Sequence, residues 1–317
     1  MPSQVSLAKL LRSFDQNLNK IIGDDLPILK LIKRFVIESG GKRIRPITHY
    51  LFCHFVGYSG KKWQEVGAVA ELIHSASLLH DDVVDNASLR RGKPTVGASF
   101  GNKTAILSGD FLLACGIERL NSLELPAVMH IFSRVLRDLA VSELIQMEWE
   151  KNPKISMKIY ESIIYGKTAS LFGACTESAG HLAGLSGKEC KELSDFGIRL
   201  GKLFQKKDDC LDYFYTSKES GKEFLKDFKN GLYTYPILIL KDTVSSKTRK
   251  EIDLLFLKTE RTERDCEQIL SLLKIHNIEQ RLTDEFNKEN IYFQKFLSKF
   301  PDTAERRLFQ DQIQKLI

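Results

Sequence analysis

Two sets of carboxylates have the types and spacing for chemistry. The first closes the run His74-Ser75-Ala76-Ser77-Leu78-Leu79-His80-Asp81-Asp82-Val83-Val84-Asp85. That run begins as an apolar helix, with Val66, Val69, Leu72, Ile73 and Leu79 near helical spacing, and then puts three acids where a core should continue. Residues four apart share a helix face, so Asp81 and Asp85 project together, with His74 two turns earlier on about the same face. Like charges so close repel, and burying them is costly unless a cation lies between them. A hard divalent cation such as magnesium suits carboxylate oxygens. Taken alone, the segment reads equally as a solvated acidic helix end. A second copy changes the balance: Phe204-Gln205-Lys206-Lys207-Asp208-Asp209-Cys210-Leu211-Asp212 repeats the Asp-Asp-x-x-Asp spacing on another apolar helix. Gln205, Asp208, Asp209 and Asp212 fall on one face at ~100° per residue. Opposed across a helical bundle, two such faces would make a multi-metal cage.

Cations accompany the acids. Gly40-Gly41-Lys42-Arg43-Ile44-Arg45-Pro46 joins two permissive glycines to three cations and a proline suited to a first helical turn. Free N–H groups and cations at a helix start bind anions, although alone the segment reads first as a basic inter-helix loop. Arg90 and Arg91 follow the first acidic set, where the planar guanidinium fork suits phosphate oxygens. Lys167 stands in an otherwise small, apolar stretch, either turned inward beside a partner or reaching the surface. The polar segment after Tyr215 carries Lys222, Lys226 and Lys229, a loop able to close over a phosphorylated ligand or simply to be solvated.

The elements that must position these groups are helices. Helical periodicity runs through the chain and strand alternation is absent. The expected helices cover about 7–22, 27–38, 46–56, 62–85, 102–121, 126–150, 157–185 and 187–215, with amphipathic helices from Pro236 onward. Glu143 and Gln146 share a face with no assigned task, and the C-terminal third holds no interpretable constellation. With 317 residues, 43% of them hydrophobic, and with no tandem repeat or low-complexity linker, one large all-α domain over 1–317 is expected. The net charge of +6 is modest and spread out, without the basic stripe of a nucleic-acid reader. The six cysteines lack a Cys-x-x-Cys pair and read as small buried hydrophobes in a reducing compartment. No signal pattern and no apolar run near ~20 residues is present, so a cytoplasmic protein is expected, with transient membrane contact when an oily product leaves. Divalent cations, more than one polyanion and apolar walls together suit ionisation of a carbon–oxygen bond to diphosphate and a carbocation.

From Gly40 to Pro236 the chain resembles the trans-type polyprenyl diphosphate synthases. The resemblance rests on Gly-Gly-Lys-Arg-Ile-Arg-Pro, Leu-Leu-His-Asp-Asp-Val-Val-Asp with Arg-Arg-Gly, Gly-Lys-Thr-Ala-Ser-Leu-Phe and Phe-Gln-x-x-Asp-Asp-x-Leu-Asp, in that order. Each motif is weak alone, whereas the ordered set is specific. It implies an all-α helical bundle with a central cavity of the isoprenoid synthase type, a homodimer and Mg²⁺. By the same resemblance Asp81, Asp85, Asp208 and Asp212 hold metal on an allylic diphosphate gripped by Arg90, Lys167 and Lys222. Thr168 and Gln205 line the cationic centre, and Lys42, Arg45, His74 and Arg91 hold isopentenyl diphosphate.

Two positions depart from the family pattern: Leu232 replaces a lysine, and Leu225 a glycine. Just upstream of the first acidic set, where the family can floor its product pocket with an aromatic, this chain has Ala76 and Ser77, which implies a product of geranylgeranyl length or longer. The alternatives are a class I terpene cyclase, opposed by the two basic segments because a cyclase binds one diphosphate, and a catalytically weak partner subunit of a heteromeric synthase, opposed by the presence of both acidic sets but kept open by Leu232.

Overall fold

The computed structural model describes residues 7–23, 27–38, 43–90, 92–215 and 224–316. Helices dominate, as the periodicity predicts. They are α1 (Leu7–Ile22), α2 (Pro27–Glu38), α3 (Ile44–Phe55), α4 (Lys62–Val84), α5 (Val96–Phe100), α6 (Asn102–Ser122), α7 (Pro126–Trp149), α8 (Met157–Ile164), α9 (Ser170–Leu182) and α10 (Gly187–Phe214). After these come α11 (Lys226–Asn230), α12 (Tyr235–Thr243), α13 (Ser246–Phe256), α14 (Glu263–Ile275), α15 (Ile278–Leu297) and α16 (Ala304–Leu316). Among the described residues the extended structure is one antiparallel pair, Leu89 opposite Pro94 and Arg90 opposite Lys93. The stretch expected as one helix from Met157 to Leu185 is interrupted between α8 and α9 by a π-helical turn, Tyr165–Ala169.

The chain divides into two compact units. Unit 1 is Met1–Arg137, Leu171–Gly197 and Phe300–Arg306; unit 2 is Asp138–Ser170, Ile198–Lys299 and Arg307–Ile317. In unit 1, Ala68, Leu72, Ala76 and Leu79 form a stripe along α4 at helical spacing. They pack with Ala105, Leu112 and Cys115 of α6 and with Phe14, Leu18 and Ile22 of α1. Each fully buried large side chain contributes about 1.5–3 kcal/mol, and α4 is thereby fixed along its length. Arg43 is also drawn into this core: its Nη1 meets Glu71 Oε1 at 2.6 Å, with both side chains under 10% exposed. The three cations of the Gly-Gly-Lys-Arg segment therefore do not share one task. Arg43 neutralises Glu71, because a charge buried on α4 needs a partner.

His49 is fully buried in unit 1. Its Nδ1–H donates to the Cys175 carbonyl at 2.7 Å, so Nε2 is left as an acceptor, 3.6 Å from Cys53 Sγ. Burial disfavours the imidazolium and lowers the His49 pKa to about 4. All six cysteines are free, and all but the half-buried Cys266 are buried, as expected of small apolar side chains.

Unit 2 is held by aromatic packing. Tyr233 stacks on Phe256 at 4.2 Å, Phe228 meets Phe256 edge-on, and Tyr160 stacks on Tyr235 at 5.7 Å. Lys241, almost fully buried, donates to Asp253 and to the Pro153 carbonyl, both at 2.6 Å.

His49 gives a pH test. Unfolded, it takes up a proton near pH 6.5; folded, it resists protonation until about pH 4. Its contribution is complete above pH 6.5 and is lost as pH falls toward 4. In urea unfolding, the advantage of wild type over His49→Asn should shrink by about 3 kcal/mol across that window. A pH-independent difference would contradict a neutral buried imidazole.

Candidate active site

In unit 1 the first acidic set ends α4. Asp81 is half-buried, Asp82 is buried, and Asp85 is exposed at the helix end, its N–H donating to the Asp81 carbonyl at 2.8 Å. The chain then turns back. Ala87 N–H donates to the Asp82 carbonyl at 2.9 Å, and Thr95 ties the returning strand through its hydroxyl to Ala87 O and its N–H to Ser88 O. This stapled turn brings Arg90 onto Asp82, with Nε at 2.8 Å and Nη2 at 2.7 Å from Oδ1. Asp82 Oδ2 is buried with no hydrogen-bond partner. Elsewhere in the unit, the Arg45 guanidinium lies 5.1 Å over the Phe172 ring, and its buried Nε also has no partner. Burial lowers the Arg45 pKa. His74 is half-buried on α4. Lys42, Arg91 and Lys222 lie outside the described residues.

In unit 2 the π-turn presents Lys167 and Thr168 in succession. A π-turn widens the helix by one residue and re-aims side chains, and such turns recur at functional sites. Lys167 Nζ pairs with Glu143 Oε1 at 2.6 Å and donates to Gln146 Oε1 at 3.0 Å. Thr168 Oγ1 donates to Gln205 Oε1 at 2.8 Å, and Gln205 Nε2 donates to Asp209 Oδ1 at 2.9 Å. Asp209 Oδ2 accepts from Tyr160 Oη at 2.6 Å and from Tyr235 N–H at 3.3 Å. Burial pushes the Asp209 carboxyl up to about 6 while these donors pull it down. Asp208, half-buried, is one residue earlier on α10.

A family model described as polyprenyl synthetase matches residues 27–273. The chain belongs to the polyprenyl synthetase family. It is an enzyme, a prenyltransferase. It is 38% identical to the octaprenyl diphosphate synthase of Escherichia coli (strain K12) over 217 residues, 68% of this chain and 67% of that protein. It is 36% identical over 245 residues to the all-trans-nonaprenyl-diphosphate synthase (geranyl-diphosphate specific) of Rhodobacter capsulatus, covering 77% and 75% of the two chains. The crystal structure of a decaprenyl diphosphate synthase from Rhodobacter capsulatus matches with a TM-score of 0.89 at 30% identity, covering 98% of this chain and 96% of that one. A polyprenyl synthase from Caulobacter crescentus, solved with calcium and isoprenyl diphosphate, matches with a TM-score of 0.87 at 29% identity, covering 98% and 94%. The fold is accordingly the all-α isoprenoid synthase fold.

The acids of a polyprenyl synthetase must be compatible with a divalent cation. Here the donors are carboxylate oxygens throughout, and one of them, Asp82 Oδ2, is buried and unpartnered, which suits a hard cation. Among the described residues no three His, Cys, Asp or Glu side chains already converge as a metal set. The structure shows Asp212 capping a helix. Its Oδ1 accepts from Lys226 N–H at 2.9 Å and its Oδ2 from Asp227 N–H at 3.0 Å. Helix α11 starts at these two residues, and Leu225 before it has no side-chain oxygen with which to cap. Leu225, which replaces the family's glycine, is left-handed at φ 56° and buried, and its N–H donates to the Asp212 carbonyl at 3.0 Å. Leu232, at the family's lysine position, is half-buried.

Sequence reasoning noted Glu143 and Gln146 without a task; they hold Lys167. It missed Tyr160, whose only signal was its place a turn and a half before the Gly-Lys-Thr segment. Asp212→Ala should cost about 1–2 kcal/mol in chemical unfolding, the usual price of a lost helix cap, and the loss should persist in EDTA. A loss that EDTA abolishes would make Asp212 a ligand instead of a cap.

Proposed function

We propose that this chain elongates an allylic prenyl diphosphate by condensing it with isopentenyl diphosphate, giving a trans-polyprenyl diphosphate. The observation that carries this reading lies in unit 2. A lysine held by a carboxylate and an amide, a Thr–Gln oxygen pair and a carboxylate-rich helix turn follow one another without a gap. That sequence of groups suits, in order, a diphosphate, a developing carbocation and a metal. Identity to named prenyl diphosphate synthases supports the same reading.

In this reading Asp81, Asp85 and Asp208 hold Mg²⁺, with Asp212 supporting them through the cap on α11. Mg²⁺, when bound, neutralises the charge that builds on the departing diphosphate. Arg90, Lys167 and Lys222 grip the allylic diphosphate, while Lys42, Arg45, His74 and Arg91 hold that of isopentenyl diphosphate. The unpartnered Nε of Arg45 supports an anionic guest there. The carbon–oxygen bond of the allylic substrate breaks, and Thr168 and Gln205 face the resulting cation with oxygen. The double bond of isopentenyl diphosphate attacks C1, and the released diphosphate takes up the departing proton. In this reading residues 1–317 are one catalytic domain.

Product length follows from the pocket floor. Ala76 has no exposure in the α4 core stripe, whereas Ser77 is half-buried with its hydroxyl donating to the His74 carbonyl at 2.9 Å. Both side chains are small, which favours a product of geranylgeranyl length or longer, in line with the octaprenyl and nonaprenyl names of its relatives. The free cysteines suit a reducing cytoplasm, and among the described residues no helix is long and apolar enough to cross a membrane. Contact with a membrane is transient, on product release. On α6, Ile106 and Ile117 share a face and, with the adjacent Leu107, are over 40% exposed, an uncovered apolar strip that favours a homodimer. Sedimentation velocity should report twice the chain mass, and a monomer at micromolar concentration would remove the dimer.

A second reading is a subunit of a two-component synthase. The chain is 32% identical over 260 residues to heptaprenyl diphosphate synthase component 2 of Bacillus subtilis (strain 168), and Leu225 and Leu232 depart from the family pattern. One assay separates the two. Purified chain with Mg²⁺, isopentenyl diphosphate and farnesyl diphosphate should yield long prenyl alcohols after dephosphorylation, and Ser77→Phe should shorten them. No product from any allylic primer would leave only the subunit reading.

A further inference from the structure

A row of hydrogen bonds in unit 2 runs Tyr160, Asp209, Gln205, Thr168. Its direction is set by Asp209. A carboxylate only accepts, so Gln205 must face it with the amide nitrogen. The amide oxygen then points the other way and accepts the single proton of Thr168. What remains at that end of the row is lone pairs, on Thr168 Oγ1 and on Gln205 Oε1. Asp209 itself cannot turn, because Tyr160 Oη and Tyr235 N–H both hold Oδ2.

We propose that Asp209 and Tyr160 are positioning residues that aim the oxygens of Thr168 and Gln205, and not their protons, at the positive charge developing on the allylic substrate. The proposal rests on the prenyl-transfer reading. Dipoles fixed in advance stabilise a developing charge without reorganising at the moment of reaction. A free glutamine amide has no such preference: flipped, it would present N–H to Thr168 and release that hydroxyl proton toward the cation. Asp209 removes the choice. Its place in the Asp-Asp-x-x-Asp spacing suggests a metal ligand, yet its oxygens are spent on three donors inside the unit.

Asp209→Asn tests this because of the Tyr235 N–H. That backbone donor cannot rotate, so the asparagine oxygen must face it and the asparagine NH₂ must face Gln205. Gln205 then flips. The full chain is titrated by calorimetry, with Mg²⁺, against two probes. One is a farnesyl diphosphate analogue carrying a protonated amine at the position of the developing cation. The other is farnesyl thiodiphosphate, neutral at carbon. Wild type should prefer the amine probe. Asp209→Asn should weaken amine binding about 30-fold and thiodiphosphate binding less than about threefold, with kcat down about 100-fold and KM for both diphosphates little changed. Tyr160→Phe removes one of the two donors that keep Asp209 from turning, so the aim of Gln205 loosens without a flip, and it should move the same quantities in the same direction by less, about 10-fold. A merely structural role would lower the melting temperature without touching the preference between probes.

If both folded variants retain the amine preference and kcat, the proposal is overturned; if Asp209→Asn does not fold, Tyr160→Phe decides alone. The two readings separate cleanly. Wild type that elongates, with variants that keep their preference, sinks the positioning role and leaves prenyl transfer standing. Wild type that makes no product but loses its amine preference on Asp209→Asn leaves the positioning role standing without elongation.

Discussion

The buried carboxylate of Asp209 organises the hydrogen bonding around Gln205 and Thr168 in unit 2. Asp209 costs free energy to bury, and its carboxyl is pushed up toward 6 even with three donors around it. A carboxylate held at that cost must be surrounded completely, and the donors that surround it come from α8, α10 and the start of α12. Meeting its needs fixes the three elements relative to one another within the unit. The same requirement fixes the amide of Gln205, and through it Thr168. Structure and chemistry are therefore two consequences of one satisfaction problem: the helices cannot slide without leaving a buried charge short of a donor.

The cations obey the same rule in less buried surroundings. Lys167 is carried by the π-turn and held between Glu143 and Gln146 on α7. The side chain is about a quarter exposed, so it remains available to an incoming anion while its direction is set. Arg90 is parked on one oxygen of Asp82, and the other oxygen stays unpartnered. A cation that already has a carboxylate partner and a carboxylate with an oxygen to spare are the two halves expected where a diphosphate and a metal arrive together. Arg43 marks the contrast. It is buried against Glu71, both charges are under 10% exposed, and its Nη2 meets Asp15 Oδ1 at 3.4 Å.

Much of this was legible in the residues. The all-α class follows from apolar spacing, and the acidic faces follow from positions four apart on helices whose other residues are apolar. Lys167 was conspicuous as a cation in a small, apolar run. What sequence spacing cannot carry is which helix comes alongside. Glu143 and Gln146 shared a face visibly, but their task depends on the packing of α7 against the π-turn, and that turn depends on one extra residue in a helix register that no composition announces. Tyr160 is an ordinary apolar-face tyrosine until Asp209 is placed against it. Asp212 carries a second task that spacing does not announce: both of its oxygens start a helix one loop further along the chain.

Leu225 shows how the chain holds that start without a glycine. A leucine at φ 56° is strained by roughly 1–2 kcal/mol. Burying a leucine side chain almost completely contributes about 1.5–3 kcal/mol, and Leu225 is only 1% exposed. Burial therefore covers the strain, and the backbone conformation that a glycine would adopt by tolerance is reached here by packing. The cap supplied by Asp212 then completes what Leu225 cannot, since a leucine at that position offers no oxygen to the orphan N–H groups of α11. Leu225 and the capping by Asp212 thus act together: the residue that loses freedom is anchored, through its own N–H and those that follow it, by the last acid of the second acidic set.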